Sequence, residues 1–281
     1  DWFRDPISEL EQLDKLVRTI YTTNQKFNDI LKLSFNTTYD IIVENYWDGL
    51  CNVINFIQEI DVLNNKAFLA KSYNYCKPVI KDNENSYVHV NKLRHPLIEH
   101  IETNETYVSN DVNLGENKDQ GILLFGTNAV GKTSLIKSLG IAVIMAQAGM
   151  YVPCEKMTYM PYKYIFTRII GNDNLFKGLS TFGVEMSELR VILNNCNNRS
   201  LILGDELCSG TEIDSALAIF ISGLETMKKV NSTFIFATHF HQIKDFDEIK
   251  NMNNVSLKHM KVLYNHELQK LVYDRKLQNG P

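Results

Sequence analysis

Gly126-Thr127-Asn128-Ala129-Val130-Gly131-Lys132-Thr133 is the stretch of sequence that decides the fold class. It fits the pattern G-x-x-x-x-G-K-[ST], which is typical of loops that bind phosphate groups. The pattern requires a strand before it and a helix after it. The apolar run Gly121–Phe125 and the helical pattern that begins near Lys132 meet both conditions. Glycine permits the backbone angles with which amide groups surround phosphate oxygens, and a helix N-terminus adds the positive end of its dipole.

Each residue type in this phosphate loop has a predicted role. Lys132 is expected to reach the β- and γ-phosphates, and Thr133 to offer its hydroxyl to Mg²⁺. The sequence therefore predicts ATP and Mg²⁺ as the bound species. The predicted nucleotide-binding residues of the loop are Gly126, Thr127, Asn128, Ala129, Val130, Gly131, Lys132, Thr133 and Ser134.

A second acidic element follows about 70 residues later. The short apolar run Leu201–Gly204 ends in the adjacent carboxylates Asp205 and Glu206. Side chains alternate along a strand, so the two carboxylates are expected to point in different directions at its end. Asp205 is predicted to bind Mg²⁺, and Glu206 to act as the base that polarises the attacking water.

A further apolar run, Thr233–Thr238, ends at His239. In open α/β sheets, ligands bind at the carboxyl ends of the strands, so His239 is expected at the same edge as the phosphate loop. It is predicted to donate a hydrogen bond to the γ-phosphate or to position water. A purely structural role is the alternative, and the neighbouring His241 does not suffice for a metal site because further ligands are missing.

The wider pattern predicts an α/β architecture preceded by helices. Apolar residues from Leu10 to Leu31 recur at helical spacing and predict a helix with one buried stripe. Ile41–Leu63 is so rich in apolar positions that it is expected to pack on more than one side. Pro78 and the polar residues after it predict a domain boundary, with a helical segment at 1–78 and an α/β domain at 79–281. Apolar and polar residues alternate along 255–263 and 268–277, which predicts a hairpin at the sheet edge.

Composition limits the partners of the chain. The 281 residues carry a formal net charge of -4, so the broad basic surface that contacts duplex phosphates is expected to lie elsewhere. The five cysteines show no C-x-x-C pair and no zinc-like spacing, which favours reduced thiols in an intracellular, reducing compartment. No signal peptide opens the sequence, and its most apolar run, 139–153, is too short for a membrane span, so no membrane partner is expected.

The segment between the phosphate loop and the acidic strand narrows the choice of family. Residues 179–186 read Leu-Ser-Thr-Phe-Gly-Val-Glu-Met, which resembles the S-T-F-x-x-E-M segment of the MutS family of mismatch-repair proteins. This segment is that family's counterpart of the signature of ABC-type ATPases. The resemblance continues through Ala146–Gly149, Phe166–Arg168 and Ala237–Phe240, and it covers about residues 60 to 278. It implies an ABC-type P-loop NTPase with a mixed, mainly parallel sheet flanked by helices.

The resemblance also implies a composite site at a homodimer interface. In the family, the helix start that corresponds to Ser180 and Thr181 faces the γ-phosphate bound by the opposite subunit. Tyr107 and Val108 match the pair that holds adenine. The loop after the acidic pair corresponds to Ser209, Gly210 and Thr211, and residues 1–78 resemble the last helices of the lever and core region. DNA contacts are then expected in domains outside this chain.

Two departures from the family pattern point to a divergent branch, viral or organellar. Cys208 and Ser209 stand where Gly-Arg is usual, and Ala129-Val130 stands where Met-Gly is common.

Two alternatives stay open. One is another ABC-type ATPase, such as a transporter subunit or a chromosome-cohesion protein, and the other is a nucleotide-switched scaffold without turnover.

Overall fold

The computed structural model describes residues 6–101, 107–127, 129–169, 181–205, 207, 212–265 and 269–281. The chain divides into two units, Asp1–Asn65 and Lys66–Pro281. The helices are α1 (Pro6–Tyr73), α2 (Lys132–Gln147), α3 (Thr181–Asn195), α4 (Ile213–Lys229) and α5 (Asp247–Lys250). The strands are β1 (Val79–Ile80), β2 (Tyr87–Leu93), β3 (Asn110–Leu114), β4 (Gly121–Phe125), β5 (Lys156–Met160), β6 (Tyr164–Arg168), β7 (Ser200–Asp205), β8 (Thr233–Ala237), β9 (Val255–Asn265) and β10 (Lys270–Asn279).

The N-terminal segment forms one continuous helix of 68 residues, not the two helical stretches that the apolar pattern indicated. The hydroxyls of Thr37 and Thr38 donate to the carbonyls of Leu33 and Ser34, which satisfies them inside the helix and lets it continue. The prediction of a buried stripe was wrong for this chain. The large apolar side chains along this helix are exposed, and Trp47, for example, is 53% exposed. The domain boundary near residue 78 stays a prediction.

Six strands form a mixed, mainly parallel sheet in the order β10-β9-β4-β8-β7-β6. All neighbouring pairs are parallel except β10 and β9, which form the predicted antiparallel hairpin at one edge. The mixed, mainly parallel sheet and the hairpin are therefore confirmed. Among the residues described, none of the helices combines the length and apolar content needed to cross a bilayer.

The central strand β4 is buried on both faces, and its side chains alternate between two apolar clusters. Ile122 and Leu124 pack in a cluster with residues of α2, whereas Leu123 and Phe125 pack in a cluster with residues of α3 and α4. The sheet therefore has helices on both sides, as expected for parallel strands. Gly204 on β7 is required by this packing, because a Cβ there would lie 2.1 Å from the Phe236 ring.

A second, four-stranded sheet has the order β1-β5-β2-β3. β5 pairs with β2 in antiparallel register, with His89 opposite Thr158, and β3 pairs with the other edge of β2. Its side chains Val88, Val90 and Tyr159 belong to the same buried cluster as those of α2. The small sheet therefore covers the helix that begins at the phosphate loop.

Candidate functional site

The carboxyl ends of β4, β7 and β8 meet at one edge of the six-stranded sheet. Leu124 of β4 and Asp205 of β7 are both in register with Ala237 of β8. The amide of Thr238 donates to the carbonyl of Leu124 over 3.0 Å, which joins the two loops just beyond the strands. The phosphate loop, Asp205 and the histidine segment therefore lie side by side at this edge, as the sequence predicts for a ligand-binding edge.

Three residues of the phosphate loop have left-handed or related backbone angles. The φ angles are 145° at Gly126, 64° at Ala129 and 107° at Gly131. Gly131 is also the N-cap of α2, and it supplies no side-chain hydrogen bond to the helix start. The first amides of a helix have no partner within the helix, so those of α2 are directed out of its start. A helix start with such amides is suited to an anion. Asn128 lies outside the described residues.

The Lys132 side chain is held within the loop that precedes it. The residue is only 5% exposed, and its Nζ donates to the carbonyls of Gly126 over 2.6 Å and Thr127 over 3.0 Å. A buried ammonium is costly unless it is paired or hydrogen-bonded, and here two carbonyl oxygens face it. This arrangement places a positive charge at the centre of the loop, where an anion would bind.

Thr133 and Asp205 are in direct contact, although they are distant in sequence. The Thr133 hydroxyl donates to Oδ2 of Asp205 over 2.5 Å. Asp205 is 2% exposed, and its other oxygen, Oδ1, is buried without a hydrogen-bond partner among the described residues. A buried carboxylate oxygen without a partner is unfavourable unless a donor or a cation satisfies it. A hydroxyl and a carboxylate are oxygen ligands of the kind that Mg²⁺ prefers, so the two residues fit the predicted metal.

The two predicted adenine-binding residues lie beside the start of α2. The Tyr107 hydroxyl is 3.3 Å from Oγ of Ser138, and burial raises the pKa of the tyrosine. Tyr107 and Val108 line a pocket together with residues of the loop, the helix and the C-terminal hairpin. The other lining residues are Ile98, Asn110, Gly131, Ser134, Leu135, Met260 and Arg275. The pocket therefore joins the predicted adenine residues to the phosphate loop.

Arg275 is a pocket residue that the sequence reasoning missed. It lies where the β9–β10 register shifts, and its φ angle is 55°. Asn110 of β3 holds this irregularity: its Nδ2 donates to the Arg275 carbonyl over 3.0 Å, and its Oδ1 accepts from the Leu277 amide over 2.7 Å. The only signal in the sequence is the charged run Asp274-Arg275-Lys276, which breaks the alternation of the strand.

His239 follows β8 by two residues and is exposed. Its carbonyl accepts from the His241 amide over 2.9 Å, and the Thr238 hydroxyl accepts from the Phe240 amide over 3.1 Å. The His241 ring stacks on Phe125, the last residue of β4, with 5.7 Å between ring centres. The histidine loop is therefore folded against the strand that leads into the phosphate loop.

Several predicted site residues cannot be placed. Glu206, Ser180, Ser209, Gly210 and Thr211 lie outside the described residues, and so does the side chain of Thr181. The helix that carries the signature segment is nevertheless described from its first residue, since α3 begins at Thr181.

An ion pair fixes the start of α3 to the sheet. Glu185, in the signature segment, accepts from Nη2 of Arg168 at the end of β6 over 2.9 Å. Glu188, one turn later, lies 2.9 Å from Nε of the same arginine. The side chains of Arg168 and Glu185 are only 7% and 3% exposed, whereas Glu188 is 48% exposed. Two segments quoted for the family resemblance are thus joined by a buried pair.

Comparisons with known proteins agree with the sequence resemblance. Residues 122–281 match the family model described as MutS domain V. A putative DNA mismatch repair protein mutS homolog of Acanthamoeba polyphaga mimivirus is 35% identical over 96% of this chain and 27% of the relative. The mitochondrial DNA mismatch repair protein mutS homolog of Sarcophyton glaucum is 34% identical, over 97% of this chain and 26% of its own length.

A bacterial relative gives a similar result. The DNA mismatch repair protein MutS of Cytophaga hutchinsonii is 37% identical over 72% of this chain and 24% of the relative. The chain therefore spans about a quarter of the length of the relatives it matches. A viral and a mitochondrial protein among them agree in part with the divergent branch that the sequence indicated. On the match of more than half of its residues to MutS domain V, the chain belongs to the MutS family.

Proposed function

We propose that this chain binds and hydrolyses ATP, and that the protein to which it belongs acts in DNA mismatch repair. The observation that carries the proposal is the contact between Thr133 and Asp205, with the second Asp205 oxygen buried and without a partner among the described residues. A strand-end carboxylate beside the hydroxyl of a phosphate loop is the arrangement with which P-loop NTPases hold Mg²⁺. Membership of the MutS family supports the mismatch-repair role.

The phosphate end of the site is assigned from these residues. The amides of residues 126–134 surround the phosphates, and Lys132 contacts the β- and γ-phosphates. Thr133 and Asp205 hold Mg²⁺, which neutralises charge on the phosphate oxygens when bound. Glu206 acts as the base that accepts a proton from the attacking water, and His239 donates a hydrogen bond to the γ-phosphate.

The nucleoside end of the site is assigned to the pocket beside α2. Tyr107 and Val108 contact adenine, and Arg275 lines the same pocket. An arginine plane can stack on an aromatic base while its charge faces the phosphates. The lining of the pocket comes from three distant parts of the chain, 98–110, 131–135 and 260–275, so the pocket forms only when the small sheet and the C-terminal hairpin are both in place.

The complete site requires a second copy of the chain. Ser180 and Thr181 of one copy face the γ-phosphate held by the other, and the loop Ser209–Thr211 lies at the same junction. Two copies thereby enclose two nucleotides, and the nucleotide state controls how domains outside this chain hold DNA. These assignments rest on the family resemblance and on the position of the site at the open edge of the sheet.

Steady-state ATP hydrolysis over a range of protein concentrations tests the proposal. Turnover per chain is expected to rise with concentration, to require Mg²⁺, and to be lost in Glu206→Ala, which should elute as a dimer in Mg·ATP. Thr133→Val is expected to lose turnover by roughly a hundredfold or more, because it removes a metal ligand. Thr226→Val makes the same change on α4, where the hydroxyl only bonds to the Ser222 carbonyl, and should leave turnover unchanged.

Two results would refute parts of the proposal. Nucleotide binding without turnover at any concentration would favour a switch scaffold over an ATPase. Equal affinity of the full-length protein for mismatched and perfect duplexes in every nucleotide state would refute the mismatch-repair role and leave the ATPase assignment intact.

A further inference from the structure

Two cysteine side chains lie in contact just beyond the end of α1. Cys76 follows the last residue of the helix by three positions, and Cys154 lies in the segment between α2 and β5. Their Sγ atoms are 3.3 Å apart, although the residues are 78 positions apart in sequence. A disulfide bond is about 2.05 Å long, so the two sulfur atoms need to approach by only about 1.2 Å. Cys154 is buried, whereas Cys76 is half-buried.

The backbone around the two thiols is held in place by hydrogen bonds. The amide of Cys76 donates to the carbonyl of Val152, and the amide of Val152 donates to the carbonyl of Cys76, both over 2.9 Å. The amide of Arg94 donates to the Pro153 carbonyl over 2.8 Å, which fixes the residue before Cys154 from the other side. The two backbone segments that carry the thiols are therefore held side by side by the fold.

We propose that Cys76 and Cys154 are a redox-responsive pair, which a peroxide converts into an intramolecular disulfide. The bond would connect the segment after α1 to the segment after α2. This assignment is independent of nucleotide binding. It also agrees with reduced thiols as the resting state.

The environment of the pair distinguishes the two thiols. The hydrogen bond with Cys154 lowers the pKa of Cys76, and the charge of Arg94 contributes in the same direction. The same hydrogen bond and burial raise the pKa of Cys154. Cys76 is also the more exposed of the two thiols, so it is the one that peroxide can reach. The thiolate is the reactive form of cysteine, so Cys76 is the residue that reacts first, and Cys154 is the one that resolves the product.

The reaction balances with hydrogen peroxide as the oxidant. The Cys76 thiolate attacks one peroxide oxygen, the O–O bond breaks, and hydroxide leaves, which gives a sulfenic acid at Cys76. The Cys154 sulfur then attacks the sulfur of the sulfenic acid, the S–S bond forms, and the S–O bond breaks. The Cys154 proton and the hydroxyl leave as water. Overall, two thiols lose two electrons, and one peroxide molecule accepts them and becomes two molecules of water.

The test uses the folded chain and one equivalent of hydrogen peroxide. After oxidation, free thiols are blocked, the chain is digested without reductant, and the peptides are identified by mass. We expect two of the five thiols to disappear, a linked peptide that contains Cys76 and Cys154, and recovery of both thiols with dithiothreitol. Five intact thiols, or a link between other cysteines, would overturn the proposal. This peptide map needs no variant, so it does not depend on whether a substituted chain folds.

Single substitutions test the order of the two steps. Cys154→Ser should stop at a sulfenic acid on Cys76 that dimedone captures, and Cys76→Ser should show neither the link nor the adduct. Cys196→Ser is the matched control, because Cys196 is buried in the same unit and its thiol donates to the Leu193 carbonyl over 3.7 Å. The control should lose two thiols, as the unchanged chain does. A dimedone adduct on Cys154 in the Cys76→Ser chain would contradict the assigned order.

Discussion

The buried pair between Arg168 and Glu185 allows a quantitative prediction for Glu185→Ala. The substitution leaves the Arg168 guanidinium buried, with only the half-exposed Glu188 as its charge partner. Removal of one member of a buried ion pair costs about 3–5 kcal/mol, because the other charge loses its partner. Glu188 remains, so we expect the lower end of that range, about 3 kcal/mol. In a domain of this size, that corresponds to a fall in melting temperature of about 6–12 °C.

The assay is thermal unfolding followed by circular dichroism, with Glu188→Ala as the matched control. Glu188 has the same charge, lies on the same helix and pairs with the same arginine, but it is 48% exposed. Water screens an exposed pair, so its loss should cost about 0.2–1 kcal/mol. The two substitutions remove the same atoms, and they differ mainly in burial. Comparable falls in melting temperature for the two variants would refute the reasoning.

A double substitution distinguishes the effect of the unpaired charge on stability from the effect of lost packing. Arg168→Met combined with Glu185→Leu replaces both charges with apolar side chains of similar length. Replacement of a buried ion pair by packed apolar residues is often neutral or stabilising, so the double variant should recover most of the stability lost in Glu185→Ala. A double variant as unstable as Glu185→Ala would mean that the loss comes from packing and not from the unpaired charge.

Three further predictions concern the stability of the fold. Ala129→Gly should raise the free energy of unfolding by roughly 0.5–1 kcal/mol, because glycine removes the strain of a φ angle of 64°; a fall in the urea midpoint would contradict this. Burial lowers the pKa of His95, whose Nδ1 accepts two backbone amides, so stability should be fully present above pH 6.5 and decline as the pH falls below it. His95→Asn should flatten the dependence of melting temperature on pH in this range. An unchanged dependence would refute the role of the ring. The Cys76–Cys154 disulfide closes a loop of about 78 residues, so it should raise the free energy of unfolding by up to about 4 kcal/mol. The melting temperature should rise on the order of 10 °C, and reductant should reverse the rise. An unchanged or lower melting temperature would show that the bond strains the fold.

The central sheet could be predicted from sequence because its strands are buried on both faces. β4, β7 and β8 are largely apolar runs. Gly126 of the phosphate loop follows β4 directly, β7 ends in Asp205, and His239 follows β8 by two residues. The local pattern therefore predicts both the strand and the position of the loop after it. The contact between Thr133 and Asp205 follows from this arrangement, because parallel strands bring their carboxyl ends to the same edge.

The four-stranded sheet could not be predicted from the same kind of pattern. β1 has only two residues, and β3, Asn110–Leu114, contains two asparagines and an aspartate. β1 pairs with β5, which lies on the far side of α2 in the sequence, and β5 is also the strand that connects β1 to β2 and β3. Arg275 escaped prediction for the same reason, since Asn110 of β3 holds its irregular backbone across 165 positions. A local pattern carries no information on such distant partners.

One side chain, Arg94, connects the wall of the pocket beside α2 to the end of α1. Nη2 of Arg94 donates to the carbonyls of Tyr73 over 2.9 Å and Asn74 over 3.0 Å, and Nη1 donates to Glu99 over 2.8 Å. Glu99 belongs to the short turn whose first residue, Ile98, lines the pocket. The planar guanidinium holds both groups in one geometry, which a lysine cannot do with a single ammonium. A shift of the turn relative to the end of the helix therefore requires either the ion pair or the carbonyl contacts to break.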